Sequence, residues 1–422
     1  MDAIKTSKTL QGGNPFRRRV FYIPGYDPIH PRRYRELYRK EGADQSKISG
    51  YQIGLKPKKT NGAYGWHVTG LVAGEVCDTD VDVLVWSDIV KSSMSQGIFA
   101  TYLQLFRTAW AYIGSGALFR LMRLRKGPMI AALYPIFVLL AQLALAVGLG
   151  LVTAGGFAAL TGWAETLHPG LPVHMTDSGG LVIGTLTIIV VLRWFKAKDG
   201  RFFAYYLMHD YAYSAQSNGV IPPELEARMR EFGKSIDQAL TEGFDEVLVV
   251  GHSSGAHLAV SILADLIRRG LPANHAALSF LSLGQVVPMV SFLPKAQRLR
   301  ADLHYLSARP EVTWVDVTAP GDGCAFALCD PVSVTGVAPA DKKWPLVISA
   351  AFTQTLSPAR WKALRWRFFR LHFQYLCAFD RPGDYDYFQI TAGPVPLADR
   401  YRGRAPSKSR IEHPVNRYTD TT

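Results

Sequence analysis

The stretch EVLVVGHSSGAHLAVSILADLIRRG, residues 246–270, decides how the rest of the chain is read. Val247, Leu248, Val249 and Val250 form a short β-branched run of the kind that makes a buried strand. From Ala256 onward apolar residues recur at helical spacing until Gly270 ends the pattern. Between strand and helix stand Gly251, His252, Ser253, Ser254 and Gly255. A serine at that junction must occupy a sharp, strained turn, and glycines two residues before and after it remove the side chains that would collide there. Such a turn lifts the Ser253 hydroxyl above the end of a sheet and aims the start of the next helix at it.

RRVFYIP (residues 18–24), VDVLVWS (81–87), AALSFLSL (276–283) and EVTWVDV (311–317) read as further strands. Strands separated by helical segments indicate an α/β protein with a mostly parallel sheet covered on both faces. Two of these strands precede a long apolar region and the others follow it. They belong to one sheet only if that region is inserted between neighbouring elements.

The apolar region has the character of a transmembrane hairpin. Residues 129–160, MIAALYPIFVLLAQLALAVGLGLVTAGGFAAL, contain no formal charge and suffice for a tilted spanning helix with excess at one end. A second run, GGLVIGTLTIIVVLRWF at residues 179–195, is shorter and just adequate. Both contain small residues that let membrane helices approach closely. Arg120, Arg123, Arg125 and Lys126 precede the first run, and Arg193, Lys196, Lys198 and Arg201 mark the end of the second. The segment between them, TGWAETLHPGLPVHMTDS, holds Glu165 and Asp177 and neither Lys nor Arg. By the positive-inside bias the tip lies outside, and both termini are cytoplasmic; in a bacterium the membrane is the inner one. Trp163, Trp194 and Phe195 stand where interfacial aromatics are expected. The expected organisation is a flexible tail (1–17), the first part of an α/β domain (18–119), the hairpin with basic flanks (120–200), the second part of that domain (201–392) and a basic tail (393–422).

Composition fits a packed, turn-rich protein: hydrophobic residues make up 48%, with 37 Gly and 25 Pro. Lys and Arg number 47 against 34 Asp and Glu, a net charge of +13 that calls for an anionic partner. Several basic residues crowd beside the apolar runs, so anionic membrane lipids are the expected partner and nucleic acid is not. Cys77, Cys324, Cys329 and Cys377 form no CxxC pair, which argues against structural zinc. No cofactor or metal is expected, and the polar N-terminus reads as a tail without a secretory signal. Asp80, Asp82 and Asp88 have the spacing of solvent and loop positions more than of a metal site. His209 and Asp210 lie in an aromatic segment that fits a surface helix, an entrance cover or ordinary core. Residues 380–394, dense in turn formers and aromatics, fit a pocket wall or a surface loop.

With its flanking strand and helix, the motif Gly251-His252-Ser253-Ser254-Gly255 resembles the α/β-hydrolase family of esterases and lipases, over residues 18–88 and 242–392. The resemblance implies the order Ser, acid, His along the chain. Ser253 matches the nucleophile. The acid follows a late strand, which places Asp322 in the TAPGDG turn; Asp316 is the runner-up and Asp330 a further candidate. His372 in RFFRLHFQYLCAFD is the preferred base, although family members often carry this residue in a Gly-containing loop; His304, His275 and His252 are alternatives. The oxyanion donors implied are the backbone N–H groups of Ser254 and of Tyr26, with Gly25 making room. A histidine is needed because a neutral hydroxyl is a weak nucleophile near pH 7, and the carboxylate fixes the histidine tautomer.

These expectations describe a membrane-anchored serine hydrolase cleaving an amphiphilic acyl ester through an acyl-enzyme. The motif leaves open thioester cleavage and acyl transfer to an acceptor other than water. The alternative class is a membrane scaffold or regulator that keeps the hydrolase fold without turnover. A transporter has little support from two spans.

Overall fold

The computed structural model describes residues 14–58, 62–95, 97–168 and 174–422. Most of the expected N-terminal tail and the tip of the hairpin lie outside the described residues. The chain divides into two compact units: Met1–Ser92, Tyr112–Met129 and Ser217–Thr422 belong to the first, Ser93–Ala111 and Ile130–Gln216 to the second.

The first unit is built on eight strands: β1 (Phe16–Ile23), β2 (Gln52–Pro57), β3 (Gly65–Val72), β4 (Glu75–Val83), β5 (Glu246–His252), β6 (Ala277–Leu283), β7 (Val312–Thr318) and β8 (Leu346–Ser349). They form one sheet in the order β2-β3-β4-β1-β5-β6-β7-β8. β1 runs parallel to β4 and β5, and β5 to β8 are parallel throughout; β3 is antiparallel to β2 and β4. This is an α/β fold with a mostly parallel mixed sheet. Strands from before and after the apolar region do share it: β1 pairs with β5 from Arg18 opposite Glu246 to Ile23 opposite Gly251. The second unit is thus an insertion into the chain of the first.

Several local readings change. Phe16 and Arg17 belong to β1 rather than to a tail, and the Arg17 N–H donates to Asp245 at 2.7 Å. The strand expected at 81–87 is β4, Glu75–Val83, and a helix, Ser87–Met94, already begins where that strand was to end. Hydrophobicity singled out the apolar end of the segment, whereas its pairing with β3, starting at Glu75 opposite Val72, sets its extent. Ala73 and Gly74 turn the β3–β4 hairpin with φ of 53° and 85°, as a tight two-residue turn requires. β2, β3 and β8 escaped the sequence because they are short or half-polar. Asp82 is buried, not solvent-facing: Arg19 from β1 and Lys58 both pair with it. Asp80 bonds His67 at 2.9 Å, and Asp88 pairs with Arg228 at 2.8 Å.

Residues 380–394 divide in two: 381–384 are exposed, and Gly383, Asp384 and Tyr385 line a cavity, whereas most of 385–393 is buried in the core. Asp386 caps the helix Tyr387–Ala392, accepting from the N–H groups of Phe388 and Gln389 and from the Tyr51 hydroxyl, while Tyr385, Tyr387, Phe388 and Ile390 are buried. The C-terminal segment is largely exposed but fastened at several points. Ile411 bridges Cys329, and buried Arg300 holds Asp420 at 2.8 Å. An enclosed guanidinium requires acceptors, and this one finds them in Asp420 and in the carbonyls of Ser291 and Leu293. The four cysteines form no disulfide.

The second unit is helical. Its two long helices, Lys126–Leu167 and His174–Ala197, are long and apolar enough to cross a membrane. Helix continues well past both apolar runs, so the segment expected to connect them is itself mostly helical. The two helices meet at small residues: a Cβ on Gly150 would lie 2.7 Å from Ile188, and one on Gly184 2.9 Å from the Gly150 carbonyl. Thr153 and Thr187 share a hydrogen bond of 3.0 Å. Leu105, Leu139, Ala204, Tyr205, Met208 and Ala212 form a separate small core. His209 is buried there with Nδ1 2.9 Å from Gln104, a structural placement.

Candidate active site

Each strand of the parallel region ends at the same edge of the sheet, where loops from several strands converge. β5 ends in His252, and the helix Gly255–Arg268 begins three residues later. Ser253 between them has φ of +57°, a left-handed conformation that costs a non-glycine residue about 1–2 kcal/mol. The turn is held by Ser253 N–H donating to the Leu283 carbonyl at 2.9 Å and by Ala256 N–H donating to the Ser253 carbonyl at 3.1 Å.

The glycines do what the motif requires of them. A Cβ on Gly251 would lie 2.8 Å from Ala256 Cα, and one on Gly255 would lie 2.2 Å from the Ile23 carbonyl oxygen. Gly25 sits in the loop after β1, where a Cβ would stand 3.0 Å from Ser253 Cβ. The β1 loop therefore passes directly over the serine turn. The helix Gly255–Arg268 begins at this turn, so the positive end of its dipole lies beside Ser253.

Asp322 lies four residues beyond the end of β7, and its carboxylate meets the His372 ring: Oδ2 is 2.7 Å from Nδ1. Asp322 also accepts from Cys324 N–H at 2.9 Å and from the Tyr375 hydroxyl at 3.0 Å. Burial opposes ionisation of this carboxyl, but His372 and these donors outweigh it and hold its pKa below the usual value. His372 ends the short helix Phe368–His372, so the base candidate stands on a helix rather than in a Gly-containing loop.

His372 is seated against the serine turn through its neighbours. The His252 ring lies 4.9 Å from the His372 ring, and His252 Nε2 is 3.0 Å from the His372 carbonyl. A Cβ on Gly284 would lie 3.1 Å from His372 Cε1. The residue before Ser253 in sequence and the residues beside it across the sheet thus touch this histidine. Burial pushes the His252 pKa down to about 3, with His372 adding to the effect. His252 is therefore neutral near pH 7 and can donate from Nε2 to that carbonyl.

The other candidates are engaged elsewhere. Asp316 is fully buried within β7; it accepts from Ser282 at 2.6 Å, and burial pushes its pKa up to about 8. Asp330 caps the helix Pro331–Thr335 and pairs with Lys342. His304 Nδ1 is 2.8 Å from the Val337 carbonyl and His275 Nδ1 is 2.6 Å from that of Ala276. Tyr26 N–H, expected as an oxyanion donor, donates in this structure to the Ser254 hydroxyl at 2.9 Å. Ser254, expected to contribute only its backbone N–H, also accepts this bond through its buried hydroxyl.

Two supporting residues went unrecognised in the sequence. Tyr375 bonds Asp322 and also accepts from Ala319 N–H at 3.0 Å, joining both ends of the acid turn. Its position three residues after His372 was the available signal, since that spacing brings side chains to one helical face. His252, an alternative base by its sequence position, instead contacts both the ring and the backbone carbonyl of His372.

Asp322, Cys324 and His372 place potential ligand atoms within 4.8 Å of one another. They fit a metal poorly as they stand. Two ligands about 2.0–2.2 Å from a tetrahedral ion lie roughly 3.3–3.5 Å apart, whereas His372 and Asp322 are in direct contact at 2.7 Å. A cavity of about 450 Å³ opens beside Gly321, lined in part by Phe352, Thr353, Gln354 and Arg404. Neither Ser253 nor His372 lines it. Compared with protein-family models, curated proteins and solved structures, the chain matches none.

Proposed function

We propose that this chain is a membrane-anchored serine hydrolase of the α/β-hydrolase kind, acting on an acyl ester of an amphiphilic substrate. The observation that carries this reading is the buried Asp322–His372 pair, 2.7 Å apart, beside a serine held at φ of +57° between a strand and a helix.

In the proposed reaction, His372 Nε2 takes the Ser253 Oγ proton as Oγ adds to the ester carbonyl. Asp322 holds Nδ1–H and stabilises the imidazolium. The same proton passes to the departing alcohol, leaving an acyl-Ser253, and water activated by His372 then releases the acid. Ser254 N–H, at the positive end of Gly255–Arg268, supports the developing oxyanion. Turning the Ser254 side chain about its Cα–Cβ bond carries Oγ away and frees Tyr26 N–H as a second donor. One such donor contributes about 3 kcal/mol to the transition state.

The two apolar helices support membrane anchoring, which keeps the site near substrates that scarcely dissolve. Basic residues at their ends support cytoplasmic termini and contact with anionic lipids. The bond between Tyr26 N–H and Ser254 favours a second reading, a scaffold with this fold that does not turn over.

Labelling of the full chain with a fluorophosphonate probe separates the two. We expect labelling of wild type and its loss in folded Ser253→Ala. Unlabelled wild type supports the scaffold, and labelling that survives in Ser253→Ala removes Ser253 as nucleophile. Protease accessibility of both termini in sealed vesicles of known orientation tests the topology.

A further inference from the structure

The helix Ile98–Gly114 has an apolar stripe on the face it does not pack. Phe99, Phe106 and Trp110 are 83%, 65% and 70% exposed, and Leu103 and Ile113 continue the same line. Alternating steps of four and three residues place all five on one helical face. The opposite face is fixed: Leu105 is buried with Leu139, the Tyr102 hydroxyl donates to the Leu139 carbonyl at 3.0 Å, and Gln104 meets His209 at 2.9 Å. The stripe therefore cannot turn inward. A contiguous exposed stripe of this kind is rare on a water-soluble surface without a partner.

The contacts between the two long helices locate it along the membrane axis. Gly179 packs on Phe157, Gly180 and Gly184 on Ala154, Thr187 on Thr153 and Ile188 on Gly150. Continued at the rise of an α-helix, this antiparallel register brings the Trp194–Lys196 end of the second helix beside roughly residue 140 of the first. Trp194, Lys196 and Lys198 are residue types that settle at a membrane–water boundary. Leu139, to which Ile98–Gly114 is bonded, stands at that boundary. The apolar residues before it, including exposed Ile130 and Phe137, extend past the basic end of the second helix and need not cross the bilayer.

We infer that Ile98–Gly114 is an in-plane membrane helix, with Phe99, Leu103, Phe106, Trp110 and Ile113 sunk into the headgroup–acyl boundary of the leaflet at the basic ends of the two spans. The occupant of its free face is the lipid bilayer. Arg107, the one charged residue of the helix, is exposed next to the stripe and reaches phosphate by extending its stem. Exposed Arg193, Lys198 and Arg201 in the same unit complement an anionic headgroup layer. This inference rests on the membrane part of the proposed function and is independent of the catalytic part.

The test uses the full chain in nanodiscs of phosphatidylethanolamine and phosphatidylglycerol, with the photocrosslinker benzoylphenylalanine at one position at a time. The positions are Phe106, Trp110, buried Thr108 and Leu151, the last being 69% exposed in the first span. We expect a mass increase of one phospholipid on cross-linking at 106, 110 and 151, and none at 108. Lipid adducts at 151 with none at 106 and 110 overturn the in-plane helix alone. Chain-to-chain adducts at 106 and 110 overturn it in favour of a second copy. Lack of lipid adducts at all four positions removes the membrane reading itself.

Discussion

Oδ2 of Asp322 lies 2.7 Å from Nδ1 of His372, across 50 residues of chain, and both side chains are buried. In the proposed reaction this contact fixes which imidazole nitrogen faces Ser253. Asp322→Asn keeps the shape but presents an amide that stabilises the wrong tautomer. We expect kcat for hydrolysis of a short-chain p-nitrophenyl ester to fall by on the order of 10⁴-fold, with little change in KM or Tm. Activity that persists in Asp322→Asn removes this pair from the mechanism.

Tyr375 acts through Asp322. In Tyr375→Phe the carboxylate loses one donor and Ala319 N–H loses its acceptor. One of the groups holding the Asp322 pKa down is then gone, so the acid limb of the kcat–pH profile moves to higher pH. The expected fall in kcat at pH 7 is about tenfold, the equivalent of about 1.4 kcal/mol. A variant that is merely less stable, with an unmoved acid limb, contradicts a positioning role.

Gly25 and Gly255 separate function from folding. Alanine at Gly25 places a methyl 3.0 Å from Ser253 Cβ, a contact relieved by a small shift of the loop. Gly25→Ala should leave Tm nearly unchanged while lowering kcat. Alanine at Gly255 drives a methyl to 2.2 Å from the Ile23 carbonyl, where backbone meets backbone. Gly255→Ala should destabilise by about 1–3 kcal/mol or more, read by chemical denaturation. Equal losses of stability in both variants contradict the distinction.

Asp316 makes folding pH-dependent. Its pKa rises from the ordinary 3.8 to about 8 because burial penalises the charged form, so the folded chain keeps a proton that the unfolded chain releases. Stability from this group is complete below about pH 4 and declines as pH rises to about 8, by at most about 1.4 kcal/mol per pH unit. Asp316→Asn mimics the protonated carboxyl and should flatten that decline in thermal melts across the range, while sparing catalysis. An unchanged slope shows that Asp316 is ionised when folded.

In the hairpin, Gly184→Leu places a side chain where the Gly150 carbonyl already stands 2.9 Å from a Cβ position. The two helices must separate, breaking the Thr153–Thr187 bond. Disulfide trapping between cysteines introduced at positions 153 and 187 should be efficient in the wild-type background and lost with Gly184→Leu. Trapping that survives shows that the helices are not held by this close approach.

Sequence alone determined features in which the chemistry is local. The strand–GHSSG–helix run needs glycines on both sides of a sharp turn, and a charge-free apolar run leaves few places to be buried other than lipid or a large core. The order Ser253, Asp322, His372 is legible along the chain, but only tertiary structure brings Asp322 and His372 to 2.7 Å. It also decided that Asp316 faces Ser282 and that Asp330 serves a helix cap. Strands β2 and β3 are legible only through their pairing, because strand ends follow a neighbour's hydrogen bonds more than their own residues. The bond from Tyr26 N–H to the Ser254 hydroxyl joins loops 228 residues apart, and no periodicity or motif encodes such a contact. Turn strain and hydropathy act over a few residues and can be read along the chain; burial, ion pairing and the reach of a base depend on what the fold places beside each group.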